Sequence, residues 1–277
     1  MGNLLNIRRV LVAVGALVVL FVIAAVLLLG ATAAESAESV YSYELKLSTS
    51  GPIDNAVLLI PLPSYPDPAF GTNVTPVNLS RVSFTNVDRR NISVRIEDVA
   101  GVPMLNLSAD RITPVYENRI VPIAIMPGQN ESELPKPTHV YSDRYSDETP
   151  LLVEMELRMY DAGVGHEIDT RMPIDSEPLF MPYRVVGDLN ASAGRIDDTY
   201  VSAGSSGYVV EVPFILSFDA ADDNVLTIST EFQGTNQWWV MGWQSNSYHE
   251  RVRHEFSGAC NGTYPVRGIL VTGEGVY

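Results

Sequence analysis

Val40-Tyr41-Ser42-Tyr43-Glu44-Leu45-Lys46-Leu47 alternates without a break. Tyr41, Tyr43, Leu45 and Leu47 fall on one side, and Ser42, Glu44 and Lys46 on the other. A period of two describes a β-strand with one buried face. The same pattern recurs downstream. Ile92, Val94 and Ile96 alternate with Ser93, Arg95 and Glu97. Leu105 and Leu107 alternate with Asn106, Ser108 and Asp110, and the short link 98–103, with Gly101, makes these two segments a hairpin. Val153, Met155, Leu157 and Met159 alternate with Glu154, Glu156 and Arg158. Further strands are predicted at residues 120–126, 208–218, 225–232, 238–243 and 266–272. Pro61, Pro63, Pro66 and Pro68 mark a rigid loop and exclude a central strand there. Residues 247–256 satisfy both a helical and a strand period, and are read as a strand like their neighbours. Many short strands with Gly and Pro turns predict an all-β fold, an antiparallel β-sandwich.

Upstream of this region the pattern changes completely. Residues 10–34 carry no charged side chain. At ~1.5 Å per helical residue, 10–30 alone cover roughly 30 Å, the thickness of a bilayer's hydrocarbon core. Arg8 and Arg9 precede the segment, and Glu35 and Glu38 follow it. The positive-inside rule puts residues 1–9 in the cytoplasm, a transmembrane helix at 10–34 and an extracytoplasmic β-sandwich region at 35–277. Ala31-Thr32-Ala33 fits a signal-peptidase site, but the apolar run exceeds a cleavable signal's usual length, so a retained signal-anchor is expected. No second span is evident, which argues against a channel or transporter. The polar stretch 128–150 is a long loop or a linker, with a possible subdivision into 40–126 and 151–277.

The chain has 277 residues, 46% of them hydrophobic and 18% charged, with a net charge of −15. That content excludes a disordered chain, and the acidic excess excludes nucleic acid as a partner. Sixteen of the 18 basic residues are Arg. With the acidic excess, that ratio suggests a GC-rich, salt-adapted microbe. Seven Asn-x-Ser/Thr sequons occur, at Asn73, Asn78, Asn91, Asn106, Asn130, Asn190 and Asn261. Composition alone gives about two by chance, so N-glycosylation on the outside of the cell is expected. Asn91 and Asn106 are both expected on exposed polar faces. The layout of anchor, sequons and acidic β-rich exterior resembles archaeal cell-surface proteins, in style only; it carries no functional residue across.

Chemistry is scarce. His249 and His254 are five apart, not the four of a zincin, so no metal site is expected. Asp219, Asp222 and Asp223 are read as an acidic turn rather than a calcium site. Gly204-Ser205-Ser206-Gly207 is one residue short of a nucleophile elbow. Cys260 is the single cysteine, read as a buried small residue. No catalytic residues and no cofactor are expected. The one cluster with a binding flavour is Trp238, Trp239, Trp243 and Tyr248. These rings fill a core or form a platform for sugar rings or a partner. The expectation is a membrane-anchored cell-surface glycoprotein with a structural or interaction role and no catalysis. Its partners would be the lipid bilayer and a surface glycan or cell-envelope protein. The alternative is an extracellular carbohydrate-binding module using the Trp cluster.

Overall fold

The computed structural model describes residues 2–67, 71–88, 90–119, 127, 128, 130, 132, 139–142, 150–181, 183–189 and 204–277. Helix α1 (Gly2–Ser36) leads after one residue into β1 (Glu38–Thr49). There follow β2 (Ile53–Pro61), β3 (Pro63–Asp67), β4 (Thr72–Val74), β5 (Val82–Thr85), β6 (Ser93–Val99), β7 (Val102–Ile112) and β8 (Tyr116–Arg119). Next are β9 (His139–Ser142), β10 (Pro150–Leu152), β11 (Met155–Gly163), β12 (Leu179–Phe180) and β13 (Arg184–Asp188). Four long strands close the chain: β14 (Ser206–Ala220), β15 (Val225–Trp239), β16 (Trp243–Ser257) and β17 (Cys260–Gly275).

Eleven of these strands form one antiparallel sheet in the order β5-β11-β1-β15-β16-β17-β14-β2-β7-β6, with β13 added beside β14. Long strands carry a strong right-handed twist, so a wide sheet of them curls. Leu157 and Tyr43 from one side of the sheet and Leu58 and Leu105 from the other join a single core cluster. The fold is therefore mostly β and antiparallel, as expected, and its main body is one curled sheet rather than two separately bonded layers. The possible division into 40–126 and 151–277 is not followed by the pairing. β1 bonds β11 and β15, and β2 bonds β14, so both halves are woven into the same sheet.

The alternation read from the sequence is the burial pattern of β1: Tyr41, Tyr43, Leu45 and Leu47 are buried, with Ser42, Glu44 and Lys46 half-buried on the outer face. There Arg158 on β11 reaches Glu44, and Arg251 on β16 meets Glu231 on β15 at 3.3 Å. Hairpin β6–β7 turns through Ala100 and Gly101, both at positive φ, as a two-residue primed turn requires. Residues 247–256 are strand, within β16. Two sequence readings need correction. Residues 238–243 are not one strand: β15 ends at Trp239, the chain turns, and β16 starts at Trp243, directly opposite Trp239. The proline segment does contain a strand, β3. Pro63 and Ser64 pair only with β12, while Tyr65, Pro66 and Asp67 pair only with β4, so no proline there is bonded from both sides. Of the remaining expectations, the strand at 120–126 and most of 128–150 lie outside the described residues.

Gly234 sits in the middle of β15, where a glycine weakens a strand. Its reason is Tyr248. A Cβ at Gly234 would lie 2.4 Å from the Tyr248 ring, which crosses the strand at that point. The ring belongs to an aromatic core of Tyr41, Tyr43, Phe180, Phe232 and Tyr248.

Candidate functional site

At the end of the sheet nearest α1, residues 164–178 cross the inner face as a strap. Two asparagines hold it. Asn236 and Asn246 face each other across β15 and β16, both inward and buried. The Asn236 amide donates to the Ile168 carbonyl at 2.8 Å and its oxygen accepts from the Ile168 N–H at 2.9 Å. One side chain thus pairs the strap as a neighbouring strand would. Asn236 also accepts from the Ser39 hydroxyl and donates to Asn246. Asn246 accepts from the Thr170 hydroxyl and donates to the Val276 carbonyl. A buried amide left unpaired costs about 1–3 kcal/mol, so this closed set specifies the strap's path.

Two acids complete the lock. Glu177, nearly fully buried, accepts from the Asp169 N–H at 2.8 Å and from the Tyr41 hydroxyl, and lies 3.2 Å from His166 Nε2. Burial, and then the bond to Glu177, holds the Tyr41 phenol far above the ordinary tyrosine range, so it acts as a proton-bearing donor. Glu250 is wholly buried beside Phe232, and its Oε2 accepts from the Phe180 N–H at 2.8 Å. Burial pushes its carboxyl up to about 8. Its Oε1 and the Tyr43 hydroxyl, on the same row of the sheet, have no hydrogen-bond partner among the described residues. Chemically the arrangement holds backbone and keeps protons bound.

Beside the strap, an open cleft of about 1350 Å³ lies between the end of α1 and the domain, with Ala33, Ala34, His166, Asp169, Trp238 and Tyr277 on its walls. Below it projects the β15–β16 tip. Trp239 is 40%, Met241 81% and Trp243 65% exposed. The Trp239 N–H donates to the Ser36 hydroxyl at the last residue of α1, at 2.8 Å. The expected aromatic cluster is thereby divided. Trp239 and Trp243 are exposed together, Trp238 is half-buried, and Tyr248 is not part of any surface. Tyr248 lies in the inward register of β16, fully buried, with its hydroxyl donating to the Pro178 carbonyl at 2.9 Å.

The sequons divide as well. Asn78, Asn91, Asn130 and Asn261 are exposed, Asn73 is half-buried, and Asn190 lies outside the described residues. Asn106 departs from its expected exposed face. It is 3% exposed, because β7 runs between β2 and β6 and the Glu97 carboxylate covers it, accepting from its amide at 2.8 Å. His249 and His254 lie on opposite faces of β16, with His249 Nδ1 2.8 Å from Glu274 and His254 edge-on to Phe256. Among the described residues no three His, Cys, Asp or Glu side chains converge. Asp219 accepts from the Asn55 amide, while Asp222 and Asp223 are exposed in the turn after β14. Cys260 is buried in the core cluster.

Sequence reasoning missed the two asparagines and both acids. Their signal was present. In β15, Leu226, Ile228, Thr230, Phe232, Gly234 and Asn236 share the inward side, and in β16 Asn246, Tyr248, Glu250 and Val252 do. A polar residue in the inward register marks a buried polar contact. No family model, curated protein or solved structure matches this chain. The functional reading accordingly rests on the chain's own geometry.

Proposed function

We propose that this chain is a membrane-anchored protein of the cell surface, with its β-domain outside and a structural or interaction role. The observation that carries the reading is the bareness of α1. Leu11–Ser36 is long and apolar enough to cross a membrane, and its most apolar window has no buried residue. Thirteen large apolar side chains from Leu11 to Leu28 are exposed on all sides. Left in water they would cost on the order of 20–30 kcal/mol, more than the 5–15 kcal/mol that typically holds a domain together. A bilayer removes that cost; the β-domain does not. Arg8 and Arg9 favour a cytoplasmic N-terminus, and the exposed sequons suit glycan attachment on the other side.

The carbohydrate-binding alternative keeps Trp239 and Trp243 but loses Tyr248 to the core. The test of the leading reading is alkaline carbonate extraction of native membranes, followed by the intact mass of the retained protein. Full-length polypeptide in the pellet, carrying glycan mass, is the expected result. Release of the chain into the supernatant overturns the anchor, and a retained chain of bare polypeptide mass overturns its description as a glycoprotein.

A further inference from the structure

The turn after β15 exposes Trp239, Met241 and Trp243, an arrangement that a soluble domain does not favour. There is no charged residue from Trp238 to Trp243, while Gln237, Gln244 and Ser245 form a polar margin on the domain side. All three tryptophans of the chain are here. An exposed apolar patch with a polar rim marks an interaction surface, and Trp is the residue enriched where lipid meets water.

Position supplies the partner. The Trp239 N–H is bonded to Ser36, so the tip begins where α1 ends. β15 runs antiparallel to β1, with Gln237 opposite Glu38. Beyond Gln237 the hairpin therefore continues past the start of β1, back along α1, against which β15 packs. Met241 is the apex of the turn, beyond the Trp239–Trp243 pair. Trp238 shares the cleft wall with Gly30, Ala33 and Ala34 of α1, so the tip lies alongside the apolar segment. Tyr277 lies at the same end, half exposed, with the Arg171 guanidinium over its ring at 3.9 Å.

We propose that the β15–β16 tip is a second membrane contact, with Trp239, Met241 and Trp243 seated in the interfacial layer of the same bilayer that α1 crosses. It fixes the domain's tilt on the membrane, since a domain held at both the helix and the tip cannot swing freely about Ala37. This inference rests on the reading of α1 as a span.

The test uses the full-length chain in phosphatidylcholine vesicles. Tryptophan emission, excited beyond the absorption of tyrosine, reports on this hairpin alone, because it holds every tryptophan. Lipid brominated near the ester end of the acyl chains is expected to remove most of the emission. Lipid brominated near the methyl end should remove less, and aqueous iodide little. In Met241→Asp, an exposed turn position that the fold tolerates, the emission should shift to the red and the shallow quenching should fall, with the chain still resistant to carbonate. If the wild-type chain resists carbonate but iodide quenches it and brominated lipid does not, the second contact is wrong and the anchor stands. Release of the chain by carbonate overturns both.

Discussion

Glu250→Gln is expected to remove a large part of the pH dependence of stability between pH 4.5 and about 8, the ordinary and the native values for this carboxyl. In that window the native state keeps the proton and the unfolded state has lost it. The unfolded state therefore binds fewer protons, and stability falls as pH rises. The contribution is complete below pH 4.5, declines upward and is exhausted near pH 8. A rise of that size corresponds to roughly 4–5 kcal/mol. Glutamine stays neutral throughout and keeps an oxygen for the Phe180 N–H. Denaturant midpoints of both proteins in detergent, at about pH 5 and about pH 9, provide the check. The variant should gain markedly on the wild type at the higher pH. Parallel profiles would mean that Glu250 is ionised in the fold, and that the β12 segment does not bury it.

Phe232→Ala is expected to cost about 3–5 kcal/mol, the usual range for emptying a buried aromatic site. Phe232 is fully buried, stacked on Tyr41 at 5.4 Å and edge-on to Phe180 and Tyr248 at 6.2 Å each. It joins β1, β15 and β16 to the β12 segment that covers them. None of these neighbours collapses freely into the gap, since Tyr41 and Tyr248 are tied by their hydroxyls to Glu177 and Pro178. Thermal melting should fall by roughly 10 °C in a domain of this size. Phe232→Leu, which keeps much of the volume, should cost well under half as much. A loss below about 1 kcal/mol for the alanine variant would contradict the placement of this ring.

These two residues show what the sequence made legible. Phe232 stood at the end of a segment read as a strand, 225–232, and the inward register of β15 buries it. Glu250 stood in a segment that satisfied two periods, and its charge suggested an exposed place. The register of β16, set by Tyr248 and Val252 on the same side, turns it inward. The long apolar helix was plain from composition, because residues 10–34 carry no charge. Strands β1, β6, β7 and β11 were plain from period two. The sheet's closure into one curled body was not, because pairing such as β1 with β15 joins residues nearly two hundred positions apart. Local pattern carries no record of such partners. The tryptophans misled for a related reason. A short run of aromatics reads as strand by propensity, whereas Met241 and Gly242 at positive φ make it a turn. Asn106 was assigned to a solvated face by alternation, but a strand flanked on both sides can lose that exposure to its neighbours' long side chains.

The central claim is that the β-domain lies outside the cell, held by α1. Cysteine labelling with a membrane-impermeant maleimide on intact cells tests it directly. Asp223→Cys places a thiol in the exposed turn at the far end of β15, about 46 Å of strand from Trp239. Asn3→Cys places one before the span. The native Cys260 is buried and serves as background. The account predicts labelling of the Asp223→Cys chain on intact cells, and of the Asn3→Cys chain only after the cells are permeabilised. Labelling of Asn3→Cys alone on intact cells would contradict the orientation, and with it the proposed role at the cell surface.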